Sequence, residues 1–189
     1  MALAACGCAR RDRVEEAVEH RADGSVAAKG EIFRGRKSGK WVYFHVDGWK
    51  EREVLYSEDA PWSRIRYHPN GEVADCGDLV DGQKDGVWRY YASSGDLTMV
   101  EAYKACSLVK RLDLLEERVS YFYDNGQVRL VGTFRDGREN GDFVAYYQNG
   151  QKKEQGVYRD EKRDGVWVFW SERGDLLRRE VWRDGVQVR

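Results

Sequence analysis

Prolines number only 2 in this chain of 189 residues, histidines 3 and cysteines 4, and no stretch approaches the roughly 18 consecutive apolar residues of a spanning helix. Each scarcity excludes something. With so little proline, almost every backbone N–H is free to join a β-ladder. The cysteines, Cys6, Cys8, Cys76 and Cys106, have no CxxC spacing and no histidine partners that would make a zinc site. Serines are few and no G-x-S-x-G elbow occurs. No glycine cluster precedes a helix N-terminus in the way a phosphate-binding loop does. Neither sign of charge dominates: 32 Lys and Arg mix evenly with 33 Asp and Glu, which argues against a nucleic-acid partner.

What the chain has instead is a period. The tetrapeptide DGVW stands at Asp85–Trp88 and again at Asp164–Trp167. Anchoring on the glycine of each turn dipeptide gives Gly24, Gly48, Gly71, Gly95, Gly126, Gly150 and Gly174, separated by 24, 23, 24, 31, 24 and 24 residues. Eight residues after each anchor comes a large apolar residue: Ile32, Tyr56, Leu79, Tyr103, Phe134, Tyr158 or Trp182. Seven before stand Trp41, Trp88, Val119, Phe143 and Trp167, with Arg64 as the exception, and glycines recur at +6 (Gly30, Gly77, Gly132, Gly156) and +15 (Gly39, Gly86, Gly141, Gly165). A fixed period of this length marks a repeat array.

Asp-Gly and Asn-Gly at the anchors predict two-residue hairpin tips of type I′, with longer Gly/Asp-rich connections at the other end of each strand pair. The predicted fold is therefore all-β, an antiparallel meander of about seven hairpin units. Its register puts positions −7, −5, +2 and +8 on one face, taken as the core, with Trp41, Tyr43, Trp88, Tyr90, Tyr121, Val128, Leu130, Phe143, Trp167 and Phe169. Gly132 is expected to face Val119, and Gly156 to face Phe143. On the other face an aromatic column, Phe44, Tyr67, Tyr91, Phe122, Tyr146 and Trp170, runs through the last six units. Two readings stay open for it: a sheet that curls over both faces, or a stacking stripe for a partner.

The spacing of 31 adds seven residues within Lys104 to Arg118, where Leu108, Leu112 and Leu115 have helical spacing. A short helix capping the sheet, or a partner-binding loop, is expected there. The chain thus divides into residues 1–17 as anchor and linker, 18–103 as the first part of the array, 104–118 as the insertion and 119–189 as the second part. His45 and His68 occupy equivalent places two strands apart with no third ligand beside them, and read as surface residues. Asp81, Asp85, Asp136, Asp160 and Asp164 recur because connections need turn formers. No catalytic residue, metal site or cofactor is expected, and Cys76 and Cys106 are expected as free thiols, with a disulfide as the alternative.

The units YRDEKRDGVWVFWSERGDLLRREVWRDG and FRDGRENGDFVAYYQNGQKKEQGVYRDE resemble the variant MORN repeat of bacterial proteins, from Val18 onward. That resemblance implies the hairpin fold and says little about activity. Similar proteins carry the label of YwqK-type antitoxins, and others are predicted lipoproteins. At the start, Leu3-Ala4-Ala5-Cys6 resembles a bacterial lipoprotein signal, with Cys6 as the lipidated residue; only five residues precede it, so this reading needs a start further upstream. Two functions follow. One is a protein-binding scaffold tethered to the cell envelope by lipid at Cys6, its partner an envelope protein. The other is a cytoplasmic antitoxin whose partner is a protein toxin.

Overall fold

The computed structural model describes residues 13–188. They form one sheet of sixteen strands, each hydrogen-bonded to its neighbours in sequence, with no helix among the described residues. The strands are β1 (Val14–His20), β2 (Val26–Phe33), β3 (Arg36–Phe44), β4 (Lys50–Ser57), β5 (Ala60–Tyr67), β6 (Val73–Val80), β7 (Gln83–Tyr91) and β8 (Leu97–Lys104). They continue as β9 (Ser107–Asp113), β10 (Arg118–Phe122), β11 (Val128–Arg135), β12 (Arg138–Tyr146), β13 (Lys152–Arg159), β14 (Lys162–Trp170), β15 (Leu176–Arg183) and β16 (Val186–Val188). The expected antiparallel meander is what forms. β1 begins at Val14, a few residues ahead of the expected start of the array, and the residues 1–12 that include Cys6 lie outside the described part.

The two kinds of turn are exchanged relative to expectation. At each glycine anchor the residue at −3 accepts from the glycine N–H and donates to the carbonyl at +1, as in Gly48 N to His45 O (2.9 Å) and His45 N to Trp49 O (2.9 Å). Only the glycine has positive φ, between 81° and 90° across the seven tips. The tip is therefore a three-residue loop closed by a left-handed glycine, followed by a β-bulge at +3. The bulge restores the register a two-residue tip would have given, so Val119 does pair with Gly132 and Phe143 with Gly156. It also moves position +2 to the other face, so Val128 pairs with Phe122 instead of joining the core. The true two-residue turns lie at the opposite ends, where residue pairs such as Asp81-Gly82, Glu58-Asp59 and Asp160-Glu161 both take positive φ.

The insertion is a strand. β9 adds to β8 on one side and β10 on the other, and Asp113 Oδ1 closes its turn by accepting from the N–H groups of Leu115 (3.0 Å) and Glu116 (3.1 Å). Seven residues are too few for a helix that holds itself. A slot between two strands offers a ladder on both sides instead.

One added strand has a consequence for everything after it. Up to β8 each anchor glycine lies on one rim of the sheet; three strands, not two, separate Gly95 from Gly126, so the later tips lie on the opposite rim. The faces exchange as well. Direct partners run Trp88–Glu101–Arg111–Ser120–Val131–Val144–Gln155–Val168, and partners share a face. Trp167, next to Val168, therefore points to the face opposite Trp88. The single core face expected across the whole chain is corrected to two: face 1 from β1 to β8, face 2 from β10 onward.

Each core is built from rings laid on glycines. A Cβ added to Gly30, Gly77 or Gly156 would sit within 3 Å of the indole of Trp41, Trp88 or Trp167 respectively. The covering ring comes from the following strand, so the ring over Gly156 belongs to Trp167, while Phe143, its other neighbour, lies 3.7 Å from where a Cβ on Gly132 would stand. Indole nitrogens of Trp41 and Trp88 donate to Glu31 O (2.9 Å) and Asp78 O (3.0 Å). All three tryptophans are fully buried although the sheet has a single layer, because each ring is roofed by its neighbours on the same face. The same rule explains two units whose +6 residue is not glycine. Val54 at +6 faces Arg64, and Glu101 at +6 faces Arg111; with no ring to lie over it, that position needs no glycine.

Candidate functional surfaces

The predicted aromatic column is divided by the exchange of faces. Phe44, Tyr67 and Tyr91 project from face 2 near the rim of Gly48, and Phe122, Tyr146 and Trp170 from face 1 near the opposite rim. All six are half-buried. The structure thus brings them together in two sets of three, each on the face opposite its own half's core. Each ring stands where the bulge begins, and several backbone carbonyls there are held by the preceding unit. Tyr123 OH donates to Tyr146 O (2.8 Å), Tyr147 OH to Trp170 O (2.9 Å), the Arg21 guanidinium to Phe44 O, and the His68 ring pairs with Tyr91 O (2.9 Å). Cations lie against the rings: Lys50 Nζ is 3.6 Å from the centre of Tyr67 and Lys29 Nζ 5.5 Å from that of Phe44. A contact of that kind contributes on the order of 0.5–1 kcal/mol at an exposed site. His45 stacks on Trp49 at 4.8 Å. Cys76 and Cys106 are free.

Face 1 carries a polar cluster that sequence reasoning missed. Asp75, 1% exposed, is held by Arg64 Nη2 (3.1 Å) and Arg66 Nε (2.6 Å). Glu101, 3% exposed, accepts from Arg111 Nη2 (2.7 Å), Tyr103 OH (2.8 Å) and Tyr90 OH, with Lys84 Nζ at 3.6 Å. Burial alone would raise the Glu101 carboxyl, but donation from Tyr90, Arg111 and Tyr103 holds it below its ordinary value. Burial and the hydrogen bond to Glu101 push Tyr103 up to about 12 and Tyr90 higher still. With every strong acceptor position of Glu101 filled, it is a structural anchor and not a free base. The available signal was its place at +6, where the repeat prefers glycine.

The third feature lies where the core changes face. Leu112, Leu114, Val119, Tyr121 and Phe134 wall an open recess of about 430 Å³, rimmed by Lys110, Asp113, Glu117 and Asp136. Val119 is itself 5% exposed.

Among solved structures, the crystal structure of a GtfA/B complex bound to UDP and GlcNAc is similar at 12% identity and a TM-score of 0.28, over 64% of this chain and 24% of that one. The Photorhabdus luminescens Tc holotoxin pore, with a mutant TccC3, is similar at 12% identity and a TM-score of 0.19, over 90% of this chain and 12% of that one. The chain thus spans 24% and 12% of those two proteins, and at such scores neither likeness carries an argument. No curated protein matches the chain. Residues 139–160 match the family described as MORN repeat variant, a stretch that covers β12, its glycine tip and β13. That match, on one unit of the sixteen-stranded array, supports a MORN-repeat protein.

Proposed function

We propose that this protein is a non-catalytic scaffold that holds another protein against a face of its sheet. MORN repeats are generally non-catalytic scaffolds that bind proteins or membranes. The observation that carries the reading is the single layer: each strand packs chiefly on its neighbours in sequence, so the face opposite each core stays accessible along its whole length. On those faces stand the two aromatic sets, and clustered half-exposed rings are characteristic of binding surfaces. Rigid hairpins with saturated turns supply a platform that needs little reorganisation on binding. The buried carboxylates favour the same reading, since both are consumed by structural donors.

The test uses a photocrosslinking residue placed at Ile65, Tyr91, Val144 or Val168 in the native host. A discrete adduct with one protein, obtained from one face and not the other, is expected. Absence of protein adducts from all four positions contradicts the reading. Tethering to the cell envelope through lipid on Cys6 is part of the proposal and rests on Leu3-Ala4-Ala5-Cys6 alone. The mass of the mature N-terminal peptide tests it: a diacylglyceryl group on Cys6 supports tethering, and an unmodified Met1 redirects the partner search to a cytoplasmic protein such as a toxin.

A further inference from the structure

Four units place a ring at position −7: Trp41, Trp88, Phe143 and Trp167. The unit that opens the inverted half places Val119 there. In the others the ring lies on a glycine of the strand before. Before β10 stands β9, which is foreign to the repeat and sets Leu112 opposite Val119. An isopropyl group reaches far less of the space than an indole, and the recess of about 430 Å³ opens at that place. The missing ring leaves part of that space open. Its rim has the carboxylates of Asp113, Glu117 and Asp136 against the single ammonium of Lys110, and neither Glu117 nor Asp136 forms an ion pair among the described residues.

We propose that this recess is a socket for one aromatic side chain of the partner protein, carried in a basic segment. The proposal rests on the scaffold reading and names the point of contact. A ring fits because the repeat itself supplies one at the equivalent place in four units. Basic flanks fit because they meet an acidic rim, and such complementarity selects partners more than it adds affinity. An apolar pocket that swallows one aromatic residue is the usual form of a binding hot spot.

The experiment titrates the full chain with three synthetic peptides: Gly-Arg-Lys-Trp-Lys-Arg-Gly, the same peptide with Ser for Trp, and Gly-Glu-Asp-Trp-Asp-Glu-Gly. The first is expected to bind one to one and to weaken with added salt. The other two are expected to bind at least tenfold more weakly, about the effect of losing 1.4 kcal/mol. Val119→Trp, which fills the socket from within, should abolish binding. Should that variant fail to fold, Glu117→Gln with Asp136→Asn, both changes at the rim, should weaken the basic peptide several-fold. Equal binding by Val119→Trp, equal binding of the Ser peptide, or no binding of any peptide overturns the socket. A partner crosslinked from Ile65 or Val168 in that event leaves the scaffold reading standing, so the two failures are distinguishable.

Discussion

The two halves of the sheet share a repeat but spend their core positions differently. In β1 to β8 the rings are interrupted: Trp41 and Trp88 are separated by Arg64, Lys37 Nζ lies 3.9 Å from the centre of Trp41, and the row closes on Glu101 and Arg111. In β12 to β15 they are contiguous, with Phe143 to Tyr158 at 5.3 Å, Tyr158 to Trp167 at 5.0 Å and Phe143 to Trp167 at 5.6 Å. Where the facing residue is arginine the first half has no ring-on-glycine pair: Arg64 lies opposite Val54 and pairs with Asp75, and Arg111 pairs with Glu101 directly opposite. The second keeps the pattern and adds aromatic pairs, each worth about 0.5–1.5 kcal/mol beyond burial. Between them lies the joint, with only four paired residues between β9 and β10. The comparison teaches that a repeat specifies packing unit by unit, while the number of strands between units decides which way the packing faces.

The strongest way to break the comparison is to remove the joint. Deleting residues 111–117 restores the spacing of 24 and fuses Ser107–Lys110 with Arg118–Phe122 into a nine-residue strand, the length of β3, β7, β12 and β14. We expect a folded sheet of fifteen strands with Trp88 and Trp167 on one face, checked by crystallography of the variant. Next come the rings themselves. Trp167→Ala should cost about 3–5 kcal/mol, at the upper end because it removes the centre of the cluster of Phe143, Tyr158 and Phe169, and Trp88→Ala less, because cations and no second aromatic ring lie against it among the described residues. Chemical denaturation followed separately in each half reads the difference.

The substitution rule at +6 is sharpened by a double-mutant cycle. Arg64→Trp alone should clash with Val54 and leave Asp75 without one of its partners, whereas Arg64→Trp with Val54→Gly rebuilds the ring-on-glycine pair. A coupling of about 1–3 kcal/mol between the two changes is expected. The smallest effect is in pH. Glu101 is held below its ordinary value of 4.5, so its contribution is complete above that pH and is lost as pH falls through the lowered value. Tyr103, raised from 10 to about 12, contributes below pH 10 and loses its contribution as pH rises toward 12. The contributions of these two groups should therefore be constant between these limits, and Glu101→Gln should remove the acid-side decline due to this carboxylate while costing roughly 1–2 kcal/mol at neutral pH, since Arg111 keeps access to water.

Much of this was legible in the residues. The glycine anchors gave the hairpins, and alternation around them gave the correct face within each half except at +2, because partners across a ladder must share a side. The tip geometry was misread, since Asn-Gly and Asp-Gly suit both a two-residue turn and the third place of a looser loop; only the bulge at +3 tells them apart. The insertion was misread because Leu108 and Leu112 fit a helical face and a strand face alike, and tertiary pairing decided between them. The exchange of faces was invisible for the same reason: a sequence period counts residues, and the parity of strands inside seven extra residues depends on whether they extend or coil. Val119 was counted with the apolar residues at −7, and the recess beside it could be seen only once β9 stood next to it. Glu101 was visible only as a break in a glycine series, and its partners Tyr90, Tyr103 and Arg111 required the register across that joint.

The central claim is that the second half is turned over relative to the first. Cross-strand proton contacts across β8, β9, β10 and β11 in solution test it most directly. The account predicts Glu101 opposite Arg111, Arg111 opposite Ser120 and Ser120 opposite Val131. A register shifted by one residue at any of these pairings, such as Arg111 opposite Val119, would put Trp88 and Trp167 on the same face and contradict it.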